Sequence, residues 1–136
     1  KKSVFNRTGF EKALTQYGHE DTLLAYKLSL IKANVLHIDN PVIHGDIDTT
    51  DVFLDKTLKA LNNLSKLYNN QQIPANFVTL LRYYNTLKAY QFHYVLSKIY
   101  TVFKTSMLKN LKSHRPSLFI FDLYKLSYFC HINLKS

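Results

Sequence analysis

Tryptophan is absent from this chain, cysteine occurs once, and glycine and proline occur three times each in 136 residues. The lone Cys130 rules out an internal disulfide framework and favours a reducing, intracellular compartment. The glycines Gly9, Gly18 and Gly45 are dispersed, so there is no glycine-rich loop to cradle a phosphate. No apolar run reaches the roughly 18 residues needed to span a bilayer. The densest stretch, Leu118 to Leu134, is interrupted by Asp122 and Lys125. Acid is the most unevenly missing component. From Asn69 to Ser136 the only acid is Asp122, against nine bases, so that half carries +8 of the chain's +9.

What is present bounds the class. The length suits one domain, 1–136, with a main loop near 38–48, whether a whole domain or a fragment of a longer helical-repeat protein. A hydrophobic content of 46% with 20% charge is that of a folded globular chain. Thirteen of the nineteen aromatics lie in the basic half. Cations suit phosphates and flat rings suit unstacked bases, so this combination points to a polyanion partner. The first ten residues carry Lys1, Lys2 and Arg7 without an acid. They read as a frayed basic terminus or the remnant of an organellar transit sequence.

Periodicity predicts an all-α fold of five or six helices, stacked as hairpins in solenoid fashion. Thr8 and Glu11 have capping-box spacing for a short helix from about Phe10 to Gly18. Glu20 and Asp21 open a second helix with a stripe of Leu24, Leu28, Ile31 and Val35. Asp48 or Thr49 caps a third, whose stripe is Leu54, Leu58, Leu61 and Tyr68, widened by Leu64 and Leu67. Ala75 to Ser113 holds no glycine or proline. One helix there would run roughly 58 Å, long for a small domain, so a break between Lys88 and Gln91 and a helical hairpin are expected. Phe77, Leu81, Tyr84 and Leu87 stripe its first arm, and Phe92, Val95, Leu96, Ile99 and Phe103 its second. After Pro116, Phe119, Leu123, Leu126 and Cys130 fit a helix face, although Tyr124 to Leu134 also alternate as a strand would. Helix is preferred, because no other segment offers a strand partner. Leu58, Leu61, Leu81, Tyr84, Leu96 and Ile99 are the expected core.

Catalytic and metal chemistry find little support. His44 to Asp51 gathers four potential ligands, but Asp51 and Thr57 stand where a calcium loop needs its glycine and its glutamate. His37 and His44 lack a third ligand at metal spacing. Cys130 and His131 are adjacent and so point to different helix faces; a buried thiol is expected rather than a nucleophile. The chain is read as a non-enzyme without cofactor. The candidate nucleic-acid contacts are Lys98, Lys104, Lys109, Lys112 and Arg115 for phosphates, with Tyr83 and Tyr94 for bases. Tyr90 and Tyr100 also lie off the main stripes and are expected on the surface. The first alternative is a protein–protein subunit whose apolar and aromatic surfaces dock on a larger assembly; a peripheral membrane binder using the basic, aromatic half ranks below it, because no single helix has a clean lysine face opposite an apolar one.

Asn76-Phe77-Val78-Thr79-Leu80-Leu81-Arg82-Tyr83-Tyr84 resembles the first helix of a pentatricopeptide (PPR) repeat, with an aromatic, two apolar residues and a later tyrosine at these offsets. Phe10 to Leu14 with Tyr17, then Asp21, Leu24 to Tyr26 and Leu30-Ile31, is similar in outline to a whole repeat. Lys88 stands where the family has its inter-helix glycine, and His93 near its usual alanine. The resemblance implies single-stranded RNA recognition, commonly in mitochondria and degenerate in fungi. In that family a polar residue early in the first helix reads a base. Thr79 would hold that place here and Ile120, unable to hydrogen-bond, the next. Backbone-directed RNA binding is the expectation.

Overall fold

The computed structural model describes residues 8–9, 17–36, 38–42, 45 and 47–134. Among them are five α-helices and no strand: α1 (Glu20–Leu30), α2 (Thr50–Asn69), α3 (Thr79–Ala89), α4 (His93–Leu111) and α5 (Leu118–Leu134). The expected all-α class holds. The helix expected from Phe10 lies outside the described residues, as do His37, His44 and Asp46 of the loop considered for metal.

The helix ends explain why breakers are scarce. Lys32, Gln71 and Gln91 all adopt positive φ, a conformation usually left to glycine. After α1, Lys32 N–H donates to Ser29 O and Ala33 N–H to Leu28 O. After α2, Gln71 N–H reaches Tyr68 O and Gln72 N–H reaches Leu67 O. These paired bonds occupy carbonyls that have lost their intrahelical partners. Gln91 N–H likewise donates to Lys88 O, so the break expected between Lys88 and Gln91 is present. At the other ends, Thr49 Oγ1 accepts from Val52 N–H, and Ser117 Oγ from Ile120 N–H. Ser117, following Pro116, thus starts α5.

α5 is the hub. Ser97 to His131, Tyr100 to Tyr128 and Asn110 to Ser117 are in contact, so partners on α4 and α5 run in opposite chain directions and the pair is antiparallel. Phe53 meets Phe121, Asn62 meets Tyr128 and Ser65 meets Asn133, so α2 runs parallel to α5 on another side. α3 and α4, neighbours in sequence, meet where the Tyr84 ring stands edge-on to His93, whereas the main packing of α4 is on α5. A connection of only three residues cannot by itself force two helices together when a third offers more apolar surface.

Two apolar clusters meet along α5. One contains Leu23, Leu61, Leu64, Leu67, Ile73, Leu81, Tyr84, Phe129 and Cys130. The other contains Leu54, Tyr100, Met107, Leu111 and Tyr124. Leu61, Leu81 and Tyr84 are buried as expected, whereas Leu58, Leu96 and Ile99 are half-buried. In α1 the buried residue is Leu23; Ile31 and Val35 fall beyond the helix end and are exposed.

Burial also perturbs several acids. It pushes the Cys130 thiol up from 9.0 to about 12 and the Tyr84 hydroxyl up to about 12. It raises Tyr124 and Tyr128 as well. A folded-state value above the unfolded one gives stability that is complete below the unfolded value and is lost as pH rises through the folded one. The fold should therefore weaken between about pH 9 and 12, and urea midpoints measured across that range should fall. Native Cys130 should resist a thiol reagent at pH 8 and react fully in denaturant, because only an exposed thiolate attacks. Rapid native labelling would contradict its burial.

Candidate nucleic-acid interface

α4 decides where the basic charge points. Its buried edge is His93, Ser97, Tyr100, Met107 and Leu111. Tyr100 is surrounded by the rings of Tyr124, Tyr128 and His131, and Ser97 Oγ lies 3.2 Å from His131 Nδ1. Burying that edge turns Tyr94, Lys98, Thr101, Thr105, Lys109 and Lys112 outward, all exposed. Lys98 and Lys109 are eleven residues apart, about three helical turns, and so project from the same side. Tyr94 sits one turn before Lys98 on that side. Four of the eight expected contact residues, Tyr94, Lys98, Lys109 and Lys112, thus share one face.

The other four are placed differently. Lys104 is rotated by about a third of a turn from Lys98, and its Nζ lies 5.7 Å over the Tyr100 ring. Arg115 is exposed in the turn before α5, where its N–H donates to Ser113 Oγ. Thr79 and Tyr83 are exposed on α3 and line a separate cleft of about 550 Å³ between α3 and α5, with Phe119 and Asp122 on the other wall. The Thr79 hydroxyl accepts from Arg82 Nη2 at 3.0 Å, so it is already engaged.

Ion pairing separates structural cations from uncommitted ones. Lys112 pairs with Asp51 at the start of α2, in an exposed ion pair at the end of α4. Lys125 pairs with Asp122 at 2.8 Å and lies 4.4 Å over the Phe121 ring. Asp122 is the only acid after Asn69, and it is spoken for. Lys56 and Lys59 in the first half pair with Asp48 and Asp55. Among the described residues Lys98, Lys104, Lys109 and Arg115 face no carboxylate. No acid among the described residues compensates their field, which leaves it open to an external anion.

Two expectations are corrected here. Tyr100, expected on the surface, is 5% exposed. Phe92, Val95 and Phe103, placed by their spacing on the apolar stripe of this arm, are 56%, 50% and 53% exposed, and Val102 beside them is 71% exposed. α4 carries two apolar arcs, and α5 offers ring and hydroxyl partners to the one that contains Tyr100. The spacing of the outward arc was legible; its direction was not. Among the described residues no group of three or more His, Cys, Asp or Glu could hold a metal ion, and no helix is long and apolar enough to cross a membrane. The chain matches no family model, no curated protein and no solved structure.

Proposed function

We propose that this chain is a non-catalytic module that binds single-stranded RNA through the outward face of α4. It would be a degenerate pentatricopeptide-like unit serving mitochondrial RNA metabolism or translation. The observation that supports this reading is the alignment of Tyr94, Lys98 and Lys109 on one exposed face, in a half whose only acid is already paired. Lys98 and Lys109 would neutralise phosphates, Lys104 and Arg115 would extend the contact, and Tyr94 would offer a ring to a base.

The test is the salt dependence of RNA affinity. Four phosphate contacts on a single strand predict a slope of log K on log salt of about −3, at about −0.7 per contact. Replacing Lys98 and Lys109 together by glutamine should flatten the slope by about 1.4 and weaken all sequences alike. Replacing Lys56 and Lys59, already paired with acids, should change it little. Equal effects from the two pairs would show that net charge alone attracts the RNA, and absence of binding at low salt would refute the reading.

A further inference from the structure

The outward apolar arc of α4 has a spacing that the RNA reading leaves unused. Phe92, Val95, Ile99 and Val102 fall at i, i+3, i+7 and i+10, which is the a/d pattern of two consecutive heptads, and Phe103 widens it. Ile99 is half-buried and the other four are at least half exposed. Contiguous apolar surface of this kind on a folded chain marks a place where another molecule sits. Repeating 3-and-4 spacing selects a helix as that molecule, because knobs from one helix fill holes between residues of another only at this period.

Charge decides which helix. Lys98 takes the position flanking the seam just before Ile99, and Lys109 falls at the d position of the following heptad, closing the seam with a cation. Neither faces a carboxylate among the described residues. A second copy of this chain would be repelled in either orientation. Parallel pairing would set Lys109 against its equivalent within the seam, and antiparallel pairing would bring the two Lys98 flanks together. A partner with carboxylates at its flanking positions meets the same cations favourably.

We propose that the Phe92–Val102 face of α4 is a docking seam for one acidic amphipathic helix of a partner protein. The helix packs over these two heptads, with acidic residues at its flanking positions that meet Lys98 beside the seam and Lys109 just past its end. The seam adjoins the proposed RNA face, and Lys98 borders both.

Fluorescence anisotropy of the full chain with labelled peptides tests this directly. The probe is a peptide of about three heptads with Leu at a and d and Glu at e and g. The comparison peptides are its Lys-flanked counterpart and a scrambled peptide of the acidic composition. The acidic heptad peptide should bind saturably, and both others at least about tenfold more weakly. Val95→Glu with Val102→Glu should abolish binding; circular dichroism should remain unchanged, since both side chains are solvent-exposed. Lys98→Glu, which leaves the apolar seam intact, should shift preference toward the Lys-flanked peptide. Equal binding of the scrambled peptide would reduce the effect to net charge and overturn the proposal. So would failure of the acidic heptad peptide to bind. A dimer in sedimentation that Val102→Glu dissociates would assign the seam to a second copy and overturn it as well.

Discussion

Phe129→Ala should cost about 3–5 kcal/mol, a large share of the roughly 5–15 kcal/mol that holds a small domain folded. Phe129 is 0% exposed and lies in the cluster where α5 meets α2 and α3. Its ring meets Tyr84 edge-on, with centroids 5.1 Å apart and planes at 82°. Truncation removes that pair and leaves a cavity lined by side chains on different helices, which cannot all collapse into it. The control is on the same helix. Phe119 is 75% exposed, so Phe119→Ala should stay within about 0.5 kcal/mol. Urea unfolding of the two variants measures the difference, and similar losses would mean that the rotational phase of α5 is wrong.

Gly18→Ala should destabilise by about 2–4 kcal/mol, combining overpacking with backbone strain. Gly18 has φ +106°, and a Cβ there would lie 2.4 Å from Ala60 Cβ and 2.9 Å from Ala60 Cα. Neither neighbour is the free end of a flexible side chain, so helix α2 itself would have to move. The segment is also tied down by hydrogen bonds. Gly18 N–H donates to Glu20 Oε2 at 2.9 Å, and Asn63 Nδ2 donates to Gly18 O at 3.1 Å. The seat of α1 on α2 therefore depends on the missing side chain. Ala60→Gly should cost about 1 kcal/mol alone, as glycine in a helix does. Combined with Gly18→Ala it should recover part of the loss, because the clash is shared between the two positions. Strict additivity in that cycle would show that the cost at Gly18 is conformational only.

Much of the architecture was legible in the residues themselves. Asp48 or Thr49 marked the start of α2, where Thr49 proves to be the cap, and the stripe of leucines marked the buried face. The length of the uninterrupted Ala75–Ser113 stretch required a break, although no glycine or proline announced it. Gln91 makes that break by adopting positive φ, a conformation that glutamine's identity does not reveal. The strand-like alternation after Tyr124 resolves as helix: among the described residues there is no strand for it to pair with, and as a helix the segment buries Tyr124, Ser127, Phe129 and Cys130 against its neighbours.

The candidate site divides along the same line. Residue types alone determined the excess of cations after Asn69, the scarcity of acids to neutralise them, and the helical spacing that strings them along one segment. Those properties are additive along the chain and need no partner. Which arc of α4 faces solvent is a different kind of quantity, because it depends on what α5 presents to it. Tyr100 is drawn inward by three aromatic rings. That rotation carries Phe92, Val95 and Phe103 outward, and it turns to solvent the side on which helical spacing already places Tyr94, Lys98 and Lys109. Asp51, distant in sequence, removes Lys112 from the free cations by reaching it across the bundle. Only the tertiary structure decides these things, since a helix with two apolar arcs has two acceptable rotations until a neighbour's shape and hydrogen bonds favour one.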